Sequence, residues 1–384
     1  MSTLKVNTIR HTGASSDAVT LATDGTCTAK ITNNLSNRNL IINGGMNVAQ
    51  RGTSSTSDGY HTVDRFTHGY GGENEAPTFA QHTLTSSDTG PWEKGFRKSL
   101  HVTNGNQTSG AGAGDYLEIY QYIEDQNISQ SGWNYASSSS YLTISFWVKS
   151  SVAQKFYGFL YTNQAAAGDC KMYSFVIDNG SGGNLSANTW TKITHTIDGD
   201  SSLTFNNDNT NGLAVGIFPF QGTNLTTSGH SLNTWAAWDS TNKVPDMTST
   251  WWTTNDATFE ITGVQLEVGD TATDFEHRSY AQELELCKRY FQFVPPTFGE
   301  AQHTTNIQGV LTASPAMRAS PTCAIVIASN NLNLAGSGAK TCTSVGTIYY
   351  NSTQGGWAEM VGSSLSQYRN YYILPNAFSF SAEL

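Results

Sequence analysis

The sequence predicts an all-β chain, and three observations carry that prediction. Polarity is supplied by Ser, Thr, Asn and 36 Gly, while only 13% of residues are charged; these polar types disfavour helix interiors and favour turns and strand faces. Aromatics make up 11% of the chain, with 9 Trp, which suits large-ring cores and is too many for a disordered polypeptide. Apolar residues recur at every second position in short runs bounded by Gly, Asn, Ser and Asp, the period of a half-buried strand. At 384 residues there is room for two or three cores of ~100–200 residues each.

Residues 1–38 read as short strands around Leu4–Ile9, Ala18–Leu21 and Thr28–Ile31, separated by turn-formers that include the hairpin pair Asp24-Gly25. So few apolar groups close no core in a monomer. Their alternation points to packing against copies of the segment or against another protein. Residues 39–278 read as an antiparallel sandwich. In Tyr141–Lys149, Leu142, Ile144, Phe146 and Val148 share one face, and Thr189–Ile197 is a second clear strand. In the last strand, Thr258–Val268, Phe259 and Ile261 have one parity and Val264, Leu266 and Val268 the other. Keeping all five inward takes one extra residue at Thr262-Gly263, and Gly suits a β-bulge. Gly/Ser/Asn-rich loops at 104–114, 179–188 and 206–212 bound the strands, and 235–252 reads as long loops.

One helix is predicted at 279–292, linking the sandwich to the C-terminal region. Ser279 and Gln282 form a capping box; Tyr280, Leu284, Cys287 and Phe291 share a face, Glu285 and Arg289 form an i,i+4 pair, and Pro295-Pro296 stops the helix. Residues 293–384 then read as a smaller C-terminal β-sandwich, with strands at Ile307–Leu311, Thr322–Ile327, Ser344–Tyr350 and Tyr371–Leu374. About 90 residues is near the lower limit for such a unit, so it is expected to lean on a neighbouring subunit.

The formal net charge is −10 and no Lys/Arg run stands out. A nucleic-acid footprint is therefore missing, and anionic membranes would repel the chain. No segment nears the ~20 apolar residues of a membrane span. The first ten residues lack the apolar core of a signal peptide, so use without a standard secretion signal is expected. Cys27, Cys170, Cys287, Cys323 and Cys342 have no CxxC or zinc spacing. They are expected to be reduced and mostly buried, a Cys323–Cys342 bridge being the alternative.

The search for catalytic motifs is negative. There is no GxSxG, HExxH or P-loop pattern, and the glycine run Gly110–Gly114 leads into a strand rather than the helix a phosphate site needs. Glu118, Glu124, Asp125, Glu260 and Glu267 read as solvated strand positions, and no 20–50-residue repeat of a depolymerase β-helix is visible. No enzyme and no catalytic residue is expected. Asn207, Asn209 and Asn211 before Gly212 imitate a calcium loop, but Phe218 stands where a bidentate Glu is needed. No cofactor is predicted, with a structural calcium held by loop carbonyls left as an alternative. Trp235, Trp238, Trp251 and Trp252 are the best candidates for a glycan platform, since indole packs on the C–H faces of sugars. Packing at the end of the sandwich or at a subunit interface explains the same rings.

Several stretches carry a resemblance. These are "NLIINGGMNVAQRGTSS", "TVDRFTHG", "LTISFWVKSS", "NTWTKITHTIDGD" and "ATFEITGVQLEVGDTATDFEHRSYAQELELCKRYFQ", in order over Asn39–Gln292, then "ASPAMRASPTCAIV". Together they resemble phage and prophage tail-fibre-type structural proteins with a carbohydrate-binding-module-like jelly-roll domain. "MSTLKVNTIR" and "VTLATDGTCTAKI" are similar to the short modules by which such fibres attach to the virion. The resemblance implies a non-catalytic virion protein, commonly a homotrimer, with residues 1–38 docked on other tail or capsid proteins. It implies adsorption to a host cell-surface polysaccharide, with no nucleic-acid partner and no membrane insertion. Capsid decoration, a head fibre, a tail adaptor and a polysaccharide depolymerase are the rival roles. The chain departs from the family over Ser228–Thr254.

Overall fold

Extended runs dominate the chain. The computed structural model describes residues 5–15, 17–25, 27–29, 38–162, 170–295, 297–327, 331–334 and 338–384; it is 41% strand and 6% helix, and the all-β expectation holds. Leu4, Ile31 and Pro296, used in the sequence expectations, lie outside the described residues.

The centre is a pair of six-stranded antiparallel sheets. One runs, edge to edge, Ala236–Ala237, Lys171–Ile177, Phe156–Thr162, Asn211–Gln221, Tyr116–Glu124, Thr67–Gly71. The other runs Thr191–Asp198, Tyr141–Ser150, Thr258–Val268, Lys98–Thr103, Thr78–Thr83, Ser54–Ser55. The chain passes back and forth between them, with two hairpins kept within a sheet: Thr78–Thr83 with Lys98–Thr103, and Phe156–Thr162 with Lys171–Ile177. The parity read from the sequence sets the core: Leu142, Ile144, Phe146 and Val148 are wholly buried, and Phe156 of one sheet meets Phe259 of the other edge-on at 4.8 Å.

The bulge is where the sequence places it. Pairing between Thr258–Val268 and Tyr141–Ser150 slips between Thr262 and Gln265, and Gly263 takes φ +65°. Phe259, Ile261, Val264 and Leu266 are buried, but Val268 is 39% exposed, so four of the five expected groups point inward. The bulge has a second role. Val264 N–H donates to Gly44 O at 2.9 Å, and Asn39 Nδ2 donates to Val264 O at 3.1 Å. A Cβ on Gly44 would lie 2.0 Å from that oxygen, so the Asn-Gly-Gly segment passes the bulge at a distance only glycine permits. The first and last stretches of the resemblance thus pack on each other. Arg278 reinforces the join, donating to Ile41 O and pairing with Glu276 at 3.2 Å.

The helix spans Tyr280–Lys288, shorter than expected, with the predicted Ser279/Gln282 capping box present. Phe291–Phe293 continues as a strand because it pairs with Phe378–Ser381, and that ladder outcompetes a further helical turn. The helix therefore ends before Pro295. Its expected face also differs: Cys287 is buried, but Tyr280 is 60% exposed. Arg289 reaches Glu124 at 3.1 Å rather than Glu285, which pairs with Lys288.

Beyond it lie a three-stranded sheet (Phe291–Phe293, Phe378–Ser381, Thr322–Ile325) and a seven-stranded one that includes Asn306–Thr312, Cys342–Ser352 and Asn370–Ile373. They share a core of Ile307, Leu311, Met360, Tyr371, Phe378 and Phe380. Near the start of the chain, Thr8–Ile9, Val19–Leu21 and Cys27–Ala29 form a small antiparallel sheet that leaves Val6, Ile9 and Leu21 exposed. All five cysteines are free; Cys287 and Cys342 are buried and Cys27 is exposed. Among the described residues, no helix is long and apolar enough to cross a membrane.

The last residues are clamped against the central sandwich. Glu383 pairs with the buried Arg65 and, at 3.0 Å, with Arg51, while Arg318 donates to the carbonyls of Ala382 and Glu383. The Arg65 guanidinium lies 3.4 Å over the Tyr290 ring, whose hydroxyl donates to Glu124 at 2.5 Å.

Candidate functional site

Four tryptophans carry the sequence-based expectation of a glycan platform, and the structure separates them. Trp251 and Trp252 are wholly buried. Trp251 Nε1 donates to Thr258 O at 3.0 Å, Trp252 Nε1 donates to Asp115 at 3.1 Å, and the Trp252 ring stacks on Phe220. A ring with no exposed face cannot receive a sugar, so these two are corrected to core residues. Trp235 is half-buried, packed on Tyr173 and donating to Asp198 O at 2.8 Å. Trp238 is half-buried against Phe159 and Tyr161. It helps Leu232, Val244 and Met247 cover the outer aromatic face of the first sheet.

An open aromatic cleft lies instead on the outer face of the second sheet. Because Leu142, Ile144, Phe146 and Val148 point inward, the residues between them point outward, and Trp147 is one. It lines a cleft of about 640 Å³ with Ser145, Lys192, Phe96, Phe275 and His277; Glu93, Lys94 and Asp274 complete the rim. The bulge builds one wall. Gly263 has no side chain where Phe96 sits, a Cβ there being 2.5 Å from the ring. Phe96 meets Phe275 edge-on at 4.8 Å, and Phe275 meets His277 at 4.9 Å. His277 Nε2 lies 2.9 Å from Lys94 O, which ties the wall to the 92–97 turn. Lys94 and Lys192 balance Glu93 and Asp274 in formal charge, so the lining favours neither anions nor cations. Size, aromatic walls and scattered polar groups are those of a small-molecule site.

On the same face, Glu260 gathers polar side chains. Lys149 Nζ is 2.8 Å from Glu260 Oε1 and 3.1 Å from Asp88, and Ser99 Oγ donates to Glu260 Oε2 at 2.8 Å. Burial alone would raise the Glu260 pKa, but hydrogen bonds and charge from His101 and Lys149 hold it below the ordinary carboxylate range. Asp88 also accepts from Trp190 Nε1 at 3.0 Å.

The other acidic candidates are not solvated, contrary to expectation. Glu124, Asp125 and Glu267 are buried with partners: Glu124 with Arg289 and Tyr290, Glu267 with Arg38 and Thr273. Asp125 accepts the N–H groups of Asn206 and Asn207 at 2.9 and 2.7 Å, organising the Asn-rich loop whose spacing imitates a calcium site. Glu118 pairs with Lys243 at 3.3 Å. The glycine run at 110–114 is a loop leading into the Tyr116–Glu124 strand, with Asp115 accepting from Gly112 N–H.

No protein-family model matches the sequence, and no curated protein matches it. Solved structures with some likeness include the enzymatically active domain of tailspike protein 4 from bacteriophage CBA120, at 10% identity and a TM-score of 0.30, over 60% of this chain and 21% of that one. A putative sugar-binding protein from Bacteroides thetaiotaomicron matches at 11% identity and a TM-score of 0.31, over 60% of this chain and all of that one. The CBM22-1 xylan-binding domain from Paenibacillus barcinonensis matches at 10% and 0.25, over 59% and 99%. The glycoside hydrolase domain of Endo-D from Streptococcus pneumoniae is also among them, at 11% and 0.23, over 79% and 32%. The expectation that the chain is no enzyme is corrected on this finding, because enzymatic domains stand beside binding modules in the set. At these scores none of the likenesses assigns an activity.

Proposed function

We propose that this chain is a virion fibre component that holds a host cell-surface saccharide in the Trp147 cleft. The observation that carries the binding half is an outward-facing tryptophan lining an open, charge-balanced cleft walled by Phe96, Phe275 and His277. Such a lining suits a hydroxyl-rich, uncharged ring: the indole takes the C–H face and the lysines, carboxylates and Ser145 serve the hydroxyls. The virion half rests on the tail-fibre-type stretches over Asn39–Gln292 and on the exposed apolar residues Val6, just before the first small sheet, and Ile9 and Leu21 within it, which suit docking to other virion proteins. A homotrimer would multiply weak contacts through avidity.

The test is retention of the full chain on immobilised host-strain polysaccharide. Trp147→Ala is expected to weaken retention by roughly 10–30-fold, the loss typical of a central aromatic contact, with an unchanged melting temperature. Wild-type protein that is not retained removes the saccharide reading, and a Trp147→Ala variant retained like wild type moves the site elsewhere. Measuring new reducing ends in the same incubations reads any cleavage directly.

A further inference from the structure

We infer that His82, His101 and Glu260 form a binding site for a first-row divalent cation, with zinc the best match. The inference is independent of the saccharide reading. The three residues lie on adjacent strands of the second sheet: His101 is opposite Glu260, and His82 is opposite Ser99, two residues from His101. Their ligand atoms all fall within 4.8 Å of one another. His82 Nδ1 is 3.1 Å from Glu260 Oε2, and His101 Nδ1 is 3.3 Å from Glu260 Oε1. Zinc bonds of ~2.0–2.1 Å in a tetrahedron put neighbouring ligand atoms about 3.4 Å apart; each imidazole nitrogen is already within that spacing of one Glu260 oxygen, His82 of Oε2 and His101 of Oε1, so the carboxylate has to turn a single oxygen to the ion or bind it through both.

The hydrogen bonding around His101 supplies the argument. Its Nε2 lies 3.1 Å from Thr103 Oγ1, a contact that fits Nε2–H as the donor. Nδ1 then carries a lone pair, is buried, and makes no aligned hydrogen bond although a carboxylate oxygen is 3.3 Å away. In that tautomer two acceptors face each other at this distance, and a cation, either a proton on the imidazole or a metal ion, has to lie between them. Charge agrees: Glu260 and Asp88 contribute −2 and Lys149 +1, leaving the contacting groups at −1. Lys149 does not block the site, because it keeps Asp88 at 3.1 Å when Glu260 turns to a metal. The supporting contacts are those of a metal centre, in which each ligand is oriented by an outer partner: Thr103 orients His101, and Ser99 holds Glu260 Oε2 at 2.8 Å. The His82 side chain is 49% exposed, which gives the ion a way in and leaves a fourth position to solvent. Two imidazoles exclude calcium and magnesium, which prefer oxygen, and select zinc, cobalt or nickel.

The experiment is calorimetric titration of chelator-treated full-length protein with Zn²⁺, together with the visible absorption of bound Co²⁺. One equivalent should bind per chain. His82→Ala and His101→Ala should each abolish it, His303→Ala, at an exposed histidine of the C-terminal region, should leave it unchanged, and Thr103→Val should weaken it by about 10-fold. His82 is half-exposed, so its variant stays folded and keeps the test decisive even where His101→Ala does not fold. No saturable binding, or binding that survives His82→Ala, overturns the inference. In the first case a proton, not a metal, joins His101 to Glu260.

Discussion

His68 and His195 sit in the sandwich with their rings on aromatic faces, His68 on Phe79 at 3.6 Å and His195 on Phe175 at 4.6 Å. Burial disfavours the imidazolium form and lowers both pKa values to about 4. The unfolded chain takes up protons near pH 6.5, so between pH 6.5 and 4 it binds more protons than the folded one. Stability is full above 6.5 and falls as pH drops towards 4, by on the order of 2–3 kcal/mol for His68 and less for the half-buried His195. Urea unfolding at pH 7.0 and 4.5 should show that fall, and an identical midpoint at both values would refute it. Burial also separates what was legible at single residues. Trp251 and Trp252 read as loop rings in the sequence, yet Trp252 is placed by Asp115 and Phe220 and the Trp251 amide by Gln154, all distant along the chain. Trp147 was missed, although alternation places it outward between Phe146 and Val148; a Trp on the outer face of a strand is the signal that would have found it.

Two elements show how local pattern and tertiary context divide the work. The bulge in Thr258–Val268 was readable because parity has to change once to bury both halves. Val268 was not, since it lies beyond the last inward neighbour. Gly263→Ala places a Cβ at φ +65° and against Phe96; it should cost about 1–3 kcal/mol and also weaken saccharide retention, because Phe96 walls the cleft. A variant with wild-type urea midpoint would show that the bulge tolerates a side chain. For the helix, the start was legible from its capping box and the end was not, because Phe291 pairs with Ser381. Ser279→Ala should cost ~1 kcal/mol, read as a lower melting temperature with the same fold by circular dichroism.

At the scale of the molecule, the strongest ties join residues that no local reading connects. Arg65 and Glu383 are 318 positions apart, and no spacing rule relates them. Glu383→Ala leaves the Arg65 guanidinium buried without its carboxylate, a change that typically costs ~3–5 kcal/mol. Its effect should appear in the central sandwich, far away in sequence. Limited proteolysis should then cut within 39–70 as readily as near residue 383, and cleavage confined to the C-terminal strands would show that the clamp stabilises only its own end.

The clamp also fixes an order of events during synthesis. Ribosomes add ~5–20 residues per second, so Glu383 is added between roughly 15 seconds and one minute after Arg65. From the addition of Val268 until that of Glu383, the nascent sandwich has the strands of both sheets but carries the Arg65 charge in its interior without its carboxylate partner. The central domain therefore reaches its final stability only once Glu383 has been added, and a chain truncated before Glu383 leaves the ribosome with the buried Arg65 guanidinium without its carboxylate.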